Sequence, residues 1–437
     1  MFSRSFYLKD ILKIAFPIIL GNIGFIMIGV GDVIVAGRHS TDTLSAISIA
    51  TAVTNSVMIL GIGILATISA ILSNYRGAGK SAEDYFYPSA KFTFILSVII
   101  CAVILAFIPF IDKLGFEQNL VPMIKDYFFI TAFAAFGGYF HCMAKEFLQA
   151  FEIVVFPNFL TIFCIFLNVG LNIIFAFGCG YIPEMGAKGL AIASLITRYF
   201  MAAVLILYCF AKFKPKFGAV KIAVKGYYKD LIKVGVPSSL AIFVEFAGFN
   251  IISIIMGRVA GIYAAAHNII TTLTSVSFMV PLAISNAAAV KVGYSNGAKY
   301  WNSLKNYANT AIISSISFMA FSAICVGIFA RPIIRIFTND MNLINICVPI
   351  AYMLCFFQVF DGLQVALSGI YRGIKQTKIV MVSNIIAYWL ISCPLGCLLG
   401  LHFKLNLAGF WIGLCFSAVV LCTIMYANLI KIFKKLN

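Results

Sequence analysis

Twelve long apolar stretches constrain this chain more than any other feature of its sequence. Each approaches or exceeds the roughly 20 residues that a helix needs to cross a bilayer. They lie near residues 12–36, 45–73, 92–111, 127–144, 156–180, 189–211, 234–257, 262–290, 308–330, 344–370, 379–401 and 405–430. Hydrophobic residues make up 62% of the chain and charged residues only 11%, which excludes an ordinary soluble domain. We therefore predict an all-α polytopic membrane protein with twelve transmembrane helices.

Lysine and arginine residues concentrate on alternate loops. Of the 32, 23 fall on the two tails and one set of loops, 8 on the other set, and Arg198 lies within a span. The positive-inside rule places the richer face in the cytoplasm, so both termini are predicted to be cytoplasmic. The same bias accounts for the net charge of +17 without nucleic acid as a partner. The first stretch lacks a small-residue cleavage site, so no cleavable signal peptide is expected.

The two halves of the chain repeat at a single offset of 220 residues. Lys9-Asp10 with Pro17 recurs as Lys229-Asp230 with Pro237, Gly37-Arg38 as Gly257-Arg258, Gly77-Ala78 as Gly297-Ala298, and Gly189 as Gly409. Because six spans separate the copies, both halves enter the membrane in the same direction, which predicts a parallel repeat. The predicted organisation is a six-helix bundle over 1–211, a basic cytoplasmic linker over 212–233 and a second six-helix bundle over 234–437.

Three acids lie inside the apolar stretches: Asp32, Glu245 and Asp361. A carboxylate in the bilayer core costs roughly 2.5–3.5 kcal/mol on insertion scales, so these positions indicate a transport site. Glu245 stands twelve residues from Lys233 and from Gly257, which places it about 18 Å from either end of its helix. Asp361 has a similar depth. Asp32 lies nearer one boundary, where a structural hydrogen bond between helices is a rival explanation.

Several short motifs together resemble the multidrug and toxic-compound extrusion (MATE) family, in its NorM-like branch. The first span carries Pro17 and Gly31-Asp32-Val-Ile-Val-Ala-Gly37-Arg38, and an Ala/Ser-rich second span leads to Gly77-Ala78-Gly79. The second half carries Ala265-Ala266-His267-Asn268, Met279-Val280-Pro281-Leu282 and Tyr371-Arg372-Gly373. The likeness spans essentially the whole chain and implies two pseudo-symmetric bundles.

The resemblance also implies two polar sites. In the C-terminal half it implies a cation site at Glu245 and Asp361, which could hold Na⁺ or share a proton. In the N-terminal half it implies a polar cluster of Asp32, Asn168 and Ser194, with Asp32 as a further coupling acid.

Two positions depart from the family pattern. Asn172 stands where some relatives carry a second acid, which leaves the N-terminal cluster with one formal charge. Phe278, a residue of the expected substrate cleft, stands where NorM-like members often have a tyrosine, so a hydroxyl ligand is lost. The Glu/Asp pair favours Na⁺ over H⁺ as the coupling ion, and Phe278 weighs against it.

The resulting expectation is a cation-coupled antiporter that exports amphipathic organic cations, such as drugs and dyes, by alternating access. The family implies a monomer in the bacterial inner membrane, in contact with lipid and without a cofactor beyond the coupling Na⁺ or H⁺. An alternative is a lipid-linked oligosaccharide flippase of the same superfamily, although its cavity is expected to be cationic. The sequence contains no cluster of catalytic groups that would indicate an enzyme. Arg198 is expected to extend toward an interface, although pairing with an acid stays open.

Overall fold

The protein, seen in a computed structural model, is built from long helices. The structure describes residues 4–113, 115–216 and 224–436, and part of the predicted 212–233 linker lies outside them. Within these residues, twelve helices are long and apolar enough to cross a membrane. They are α1 Ser5–His39, α2 Thr41–Gly77, α3 Ala82–Lys113, α4 Leu120–Ala150, α5 Val155–Phe177, α6 Gly186–Phe213, α7 Val224–Val259, α8 Gly261–Gly297, α9 Trp301–Arg335, α10 Met341–Gly373, α11 Thr377–His402 and α12 Asn406–Lys435.

All twelve predicted spans correspond to helices, and many helices run past the apolar stretch. The first stretch was expected over 12–36, whereas α1 runs over Ser5–His39. A helix can continue into polar sequence because its backbone groups still bond internally while its charged side chains reach water. Apolar length therefore predicts which segments cross the bilayer better than it predicts where each helix ends.

The distribution of side chains is that of a protein surrounded by lipid. Large apolar side chains lie on the outer surface, among them Phe166 with 74% of its area exposed, Leu207 with 67% and Ile328 with 69%. Polar side chains such as Asn172 and Gln358 are fully buried. In lipid there is no penalty for exposed apolar surface, whereas a polar group needs a partner inside the protein. The described helices therefore form an integral, multi-pass membrane protein.

The repeat in the sequence is also a repeat of helices. Helix α2 begins at Thr41 and ends at Gly77, and α8 begins at Gly261 and ends at Gly297, so both ends keep the offset of 220. Helices α1 and α7 keep it at their C-terminal ends, His39 and Val259. The fold is thus two six-helix bundles that repeat one pattern of spans.

Contacts divide the chain into two compact units. One comprises Pro17–Ser239, and the other comprises the start of the chain through Phe16 and the chain from Leu240 onward. Relative to the predicted ranges 1–211 and 234–437, the start of α1 lies with the second set of helices and the start of α7 with the first. The division falls at Pro17 and near Pro237, where proline removes a backbone hydrogen bond inside each helix.

The starts of α1 and α7, which each lie in the unit formed mainly by the other half of the chain, are both held there by a hydrogen bond between an aspartate and a tyrosine. In one unit, Asp10 forms an ion pair of 2.8 Å with Lys291 and accepts a hydrogen bond of 2.5 Å from the Tyr307 hydroxyl. In the other unit, Asp230 accepts a 3.0 Å bond from the Tyr75 hydroxyl. The repeated Lys-Asp motif therefore has a structural role in anchoring helix starts.

Helix α11 is irregular. Wide π-helical turns run over Ile385–Ser392 and Leu398–His402, on either side of a short α-helical piece, Cys393–Cys397. π-helical turns are rare and frequently mark functional sites. Here the first of them begins directly after Asn384.

Candidate functional site

In the N-terminal half, the predicted polar residues meet around Asp32. The amide nitrogen of Asn172 donates to Asp32 Oδ1 at 2.6 Å and to the side-chain oxygen of Asn168 at 3.1 Å. The Ser194 hydroxyl donates to Asp32 Oδ2 at 3.3 Å. Helices α1, α5 and α6 each contribute to this cluster. The structure therefore brings together all four residues that the sequence grouped.

Asn172 is the centre of the cluster. It stands one helical turn after Asn168 on α5, so both amides project from the same face. Both residues are fully buried, and Asn168 Nδ2 and Asn172 Oδ1 have no hydrogen-bond partner within the described residues. The cluster thus has one carboxylate and spare polar capacity, which allows a hydrogen-bonded ligand or ion to be accommodated.

Arg198 does not extend toward an interface, and that expectation was wrong. Its guanidinium donates to the sulfur of Met58 at 3.6 Å, and its side chain passes beside Gly138. Met58 is only 5% exposed, in the middle of α2. The guanidinium also interacts electrostatically with Asp32. The inward direction is favourable because it gives the charge an opposite charge inside the bundle.

In the C-terminal half, Glu245 is surrounded by neutral hydrogen-bond donors. Its Oε2 accepts from the Gln364 amide at 2.9 Å and from the Asn384 amide at 3.5 Å. The Tyr388 hydroxyl bonds to Gln364 Oε1 at 3.4 Å and also interacts with Glu245. These donors stabilise a carboxylate without neutralising its charge.

Helix α11 is fastened to α7 directly beside Glu245. Asn384 donates to the backbone oxygen of Ala241 at 3.0 Å, and the Trp389 indole donates to that of Val244 at 3.2 Å. A side chain at Gly248 would meet Tyr388 at 3.2 Å, so glycine permits the two helices to approach this closely. The position of α11 beside Glu245 is therefore fixed by three contacts.

Asp361 lies near enough to Glu245 for the two carboxylates to interact electrostatically. It is 2% exposed, on the same face of α10 as Gln364, three residues later. Next to it, a side chain at Gly362 would come within 3.0 Å of the Ser315 backbone oxygen and closer still to Met319, so α9 and α10 pack tightly here. Two buried acids in one site repel unless a cation or a proton lies between them.

Phe278 is half-buried in α8 and supplies no oxygen. The neutral polar groups around Glu245 come instead from Gln364, Asn384 and Tyr388, which sequence reasoning missed. A signal existed, because each is a polar residue inside or beside an apolar span. Within the described residues, no group of three or more His, Cys, Asp or Glu side chains forms a metal site, so any metal ion here needs neutral oxygens as well.

The family is shown by sequence comparison. The profile of the MatE family matches residues 17–174 and 237–398, one segment in each half. The chain belongs to the MatE family. A probable multidrug resistance protein NorM from Photorhabdus laumondii is 28% identical over 443 residues, covering 97% of this chain and 96% of that protein. A probable multidrug resistance protein NorM from Geobacillus kaustophilus is 27% identical, with coverages of 93% and 91%.

Solved structures show the same fold for this MatE chain. The eukaryotic MATE transporter AtDTX14 superposes with a TM-score of 0.88 at 19% identity, covering 99% of this chain and 98% of that one. A transporter of the MOP superfamily from Pyrococcus furiosus gives a TM-score of 0.90 at 18% identity, with coverages of 98% and 96%. These likenesses confirm the fold.

Proposed function

We propose that this protein is a cation-coupled multidrug exporter working by alternating access. The observation that carries the proposal is the buried pair Glu245 and Asp361, which interact with each other while neutral donors hold Glu245 in place. A site with two buried carboxylates that interact, and with no ion-pair partner among the described residues, can bind a cation or a proton reversibly. Reversible occupancy is what coupling requires, because the ion must enter from one side and leave from the other.

The transported compounds are proposed to be amphipathic organic cations. Relatives along nearly the full length of the chain are named as probable multidrug resistance proteins. Acids inside a low-dielectric protein attract positive charge, and aromatic residues are abundant, at 15% of the chain. Such a protein carries drugs and dyes of varied shape and acts on no covalent bond, so it is not an enzyme.

The proposed setting is the inner membrane of a bacterium, with both termini in the cytoplasm and a single chain as the working unit. The distribution of lysine and arginine supports this orientation. Anionic lipid headgroups on the cytoplasmic face attract the basic linker.

The test is ethidium efflux from proteoliposomes under separately imposed ion gradients. We expect an inward Na⁺ gradient at constant pH to accelerate efflux, and E245Q to remove the acceleration. If efflux is unchanged when Na⁺ is replaced by K⁺ but responds to a pH gradient, H⁺ is the coupling ion. Ethidium efflux that responds to neither gradient would contradict cation coupling.

A further inference from the structure

The side-chain oxygen of Asn384 is buried and unsatisfied beside Glu245. Asn384 is 1% exposed, and its Oδ1 has no hydrogen-bond partner among the described residues. A buried carbonyl oxygen without a partner is costly in free energy, and such groups in a native protein need an explanation. A bound partner would satisfy this oxygen.

The direction of this amide is fixed by its surroundings. Its nitrogen donates to the backbone oxygen of Ala241 at 3.0 Å and lies 3.5 Å from Glu245 Oε2, and both of these atoms are acceptors. Exchanging the nitrogen and oxygen would place the amide oxygen against two other oxygens, which is repulsive. Asn384 Oδ1 is therefore the free end.

The free oxygen has the chemistry of a metal ligand and not of a proton acceptor. Amide carbonyl oxygens coordinate hard cations in transport sites, whereas an amide does not take up a proton near neutral pH. It lies on the residue whose amide nitrogen is 3.5 Å from Glu245 Oε2, so it offers a further oxygen beside that carboxylate.

We propose that Asn384 Oδ1 is a neutral ligand of a Na⁺ ion held by Glu245 and Asp361. The π-helical turn of α11 that begins after Asn384 shifts the residues that follow, and Tyr388 then meets Gln364, whose amide steadies the Glu245 carboxylate at 2.9 Å. This inference rests on the proposed function, since it names the ion that the coupling site takes.

The experiment measures ²²Na⁺ binding to the purified full-length protein, with Li⁺ and K⁺ as competitors. We expect N384A to weaken Na⁺ binding by ~10-fold or more, as is typical for loss of a group that shapes a metal site. N384D keeps an oxygen at the same place and is expected to bind Na⁺ more tightly than N384A does. The control is N428A, because Asn428 on α12 also donates to a backbone oxygen, that of Ile424 within its own helix.

The outcomes separate this inference from the proposed function. If N384A binds Na⁺ as tightly as the wild type and N428A do, Asn384 is not a ligand, while cation coupling stands. If the wild type binds no Na⁺ and its efflux is driven by H⁺, the role of Asn384 as a Na⁺ ligand is also overturned, while cation coupling stands. If N384A does not fold, a folded N384D that has lost Na⁺ binding overturns it. Efflux that responds to neither Na⁺ nor H⁺ removes the proposed function as well.

Discussion

At the scale of single residues, the three intramembrane acids have different surroundings. Glu245 is held by neutral donors from two helices, Asp361 is 2% exposed and interacts with Glu245, and Asp32 is bound by one amide and one hydroxyl. These surroundings imply different roles. The first two acids form the proposed shared site, whereas Asp32 belongs to the N-terminal cluster.

The shared site predicts that E245Q and D361N each abolish gradient-driven efflux of ethidium. Each amide keeps the size of the side chain but removes the charge that binds the coupling cation. The double variant is expected to be scarcely worse than either single variant, because the residues act as one unit. Expression level and thermal stability serve as controls. Transport like that of the wild type in either single variant would reject the shared site.

Asp32 should affect transport without affecting the cation site. We expect D32N to impair ethidium efflux while the purified protein still binds Na⁺ or H⁺, because the C-terminal pair is intact. The matched control is S194A, which removes only the longer bond of 3.3 Å and is expected to have a smaller effect. Normal export by D32N would show that Asp32 is a packing residue. Loss of cation binding in D32N would show that the two clusters form one coupled site.

At this scale, resemblance to the family identified the residues of the N-terminal cluster, whereas the neutral partners of Glu245 were missed. Asp32, Asn168, Asn172 and Ser194 were grouped by resemblance, and the structure brings them together. Gln364, Asn384 and Tyr388 were missed because neutral polar residues are tolerated in many membrane helices. The position of Tyr388 depends on the irregular path of α11, which no local pattern reveals. The direction of Arg198 depends likewise on which neighbours reach it.

At the scale of elements, the N-terminal part of α1 is anchored through a buried ion pair. Lys291 is 8% exposed and lies 2.8 Å from Asp10, which also accepts the Tyr307 hydroxyl. Asp10 and Asp230 occupy equivalent positions of the repeat, and each binds a tyrosine. The apolar pattern predicted the positions of these helices along the chain. It did not predict which helices their first turns pack against, because that depends on side-chain contacts.

We expect D10N to destabilise the protein by about 2 kcal/mol, because it removes one partner of a largely buried ion pair. The measurement is thermal unfolding of the protein in detergent, with D10N compared to K291M and to the double variant. The double variant should be more stable than D10N alone, since no unbalanced charge remains. Equal stability of D10N and the wild type would mean that this ion pair does not anchor α1.

At the scale of the whole molecule, composition and the repeat offset were sufficient to predict the number of transmembrane helices and their pairing between the two halves. Twelve apolar stretches predicted twelve helices, and the offset of 220 predicted equivalent helices, such as α2 and α8. The signal is strong because a bilayer excludes almost every alternative backbone structure. The extent of each unit was less accessible, since the exchanged starts of α1 and α7 follow from side-chain contacts far apart in sequence.

The charge bias of 23 against 8 predicts the topology. Reporter fusions after the last residue and within 212–233 should both be cytoplasmic. A fusion placed between α1 and α2, at Ser40, is the matched control and should be external. An external signal from either of the first two fusions would contradict the assigned orientation.

The most direct test of the account is ion uptake driven by a drug gradient. Proteoliposomes loaded with ethidium and placed in ethidium-free buffer should take up ²²Na⁺, because each exported cation is exchanged for a coupling ion bound at Glu245 and Asp361. Uptake should disappear in E245Q and D361N and persist in N428A. Ethidium leaving wild-type vesicles with neither Na⁺ uptake nor internal acidification would contradict the account.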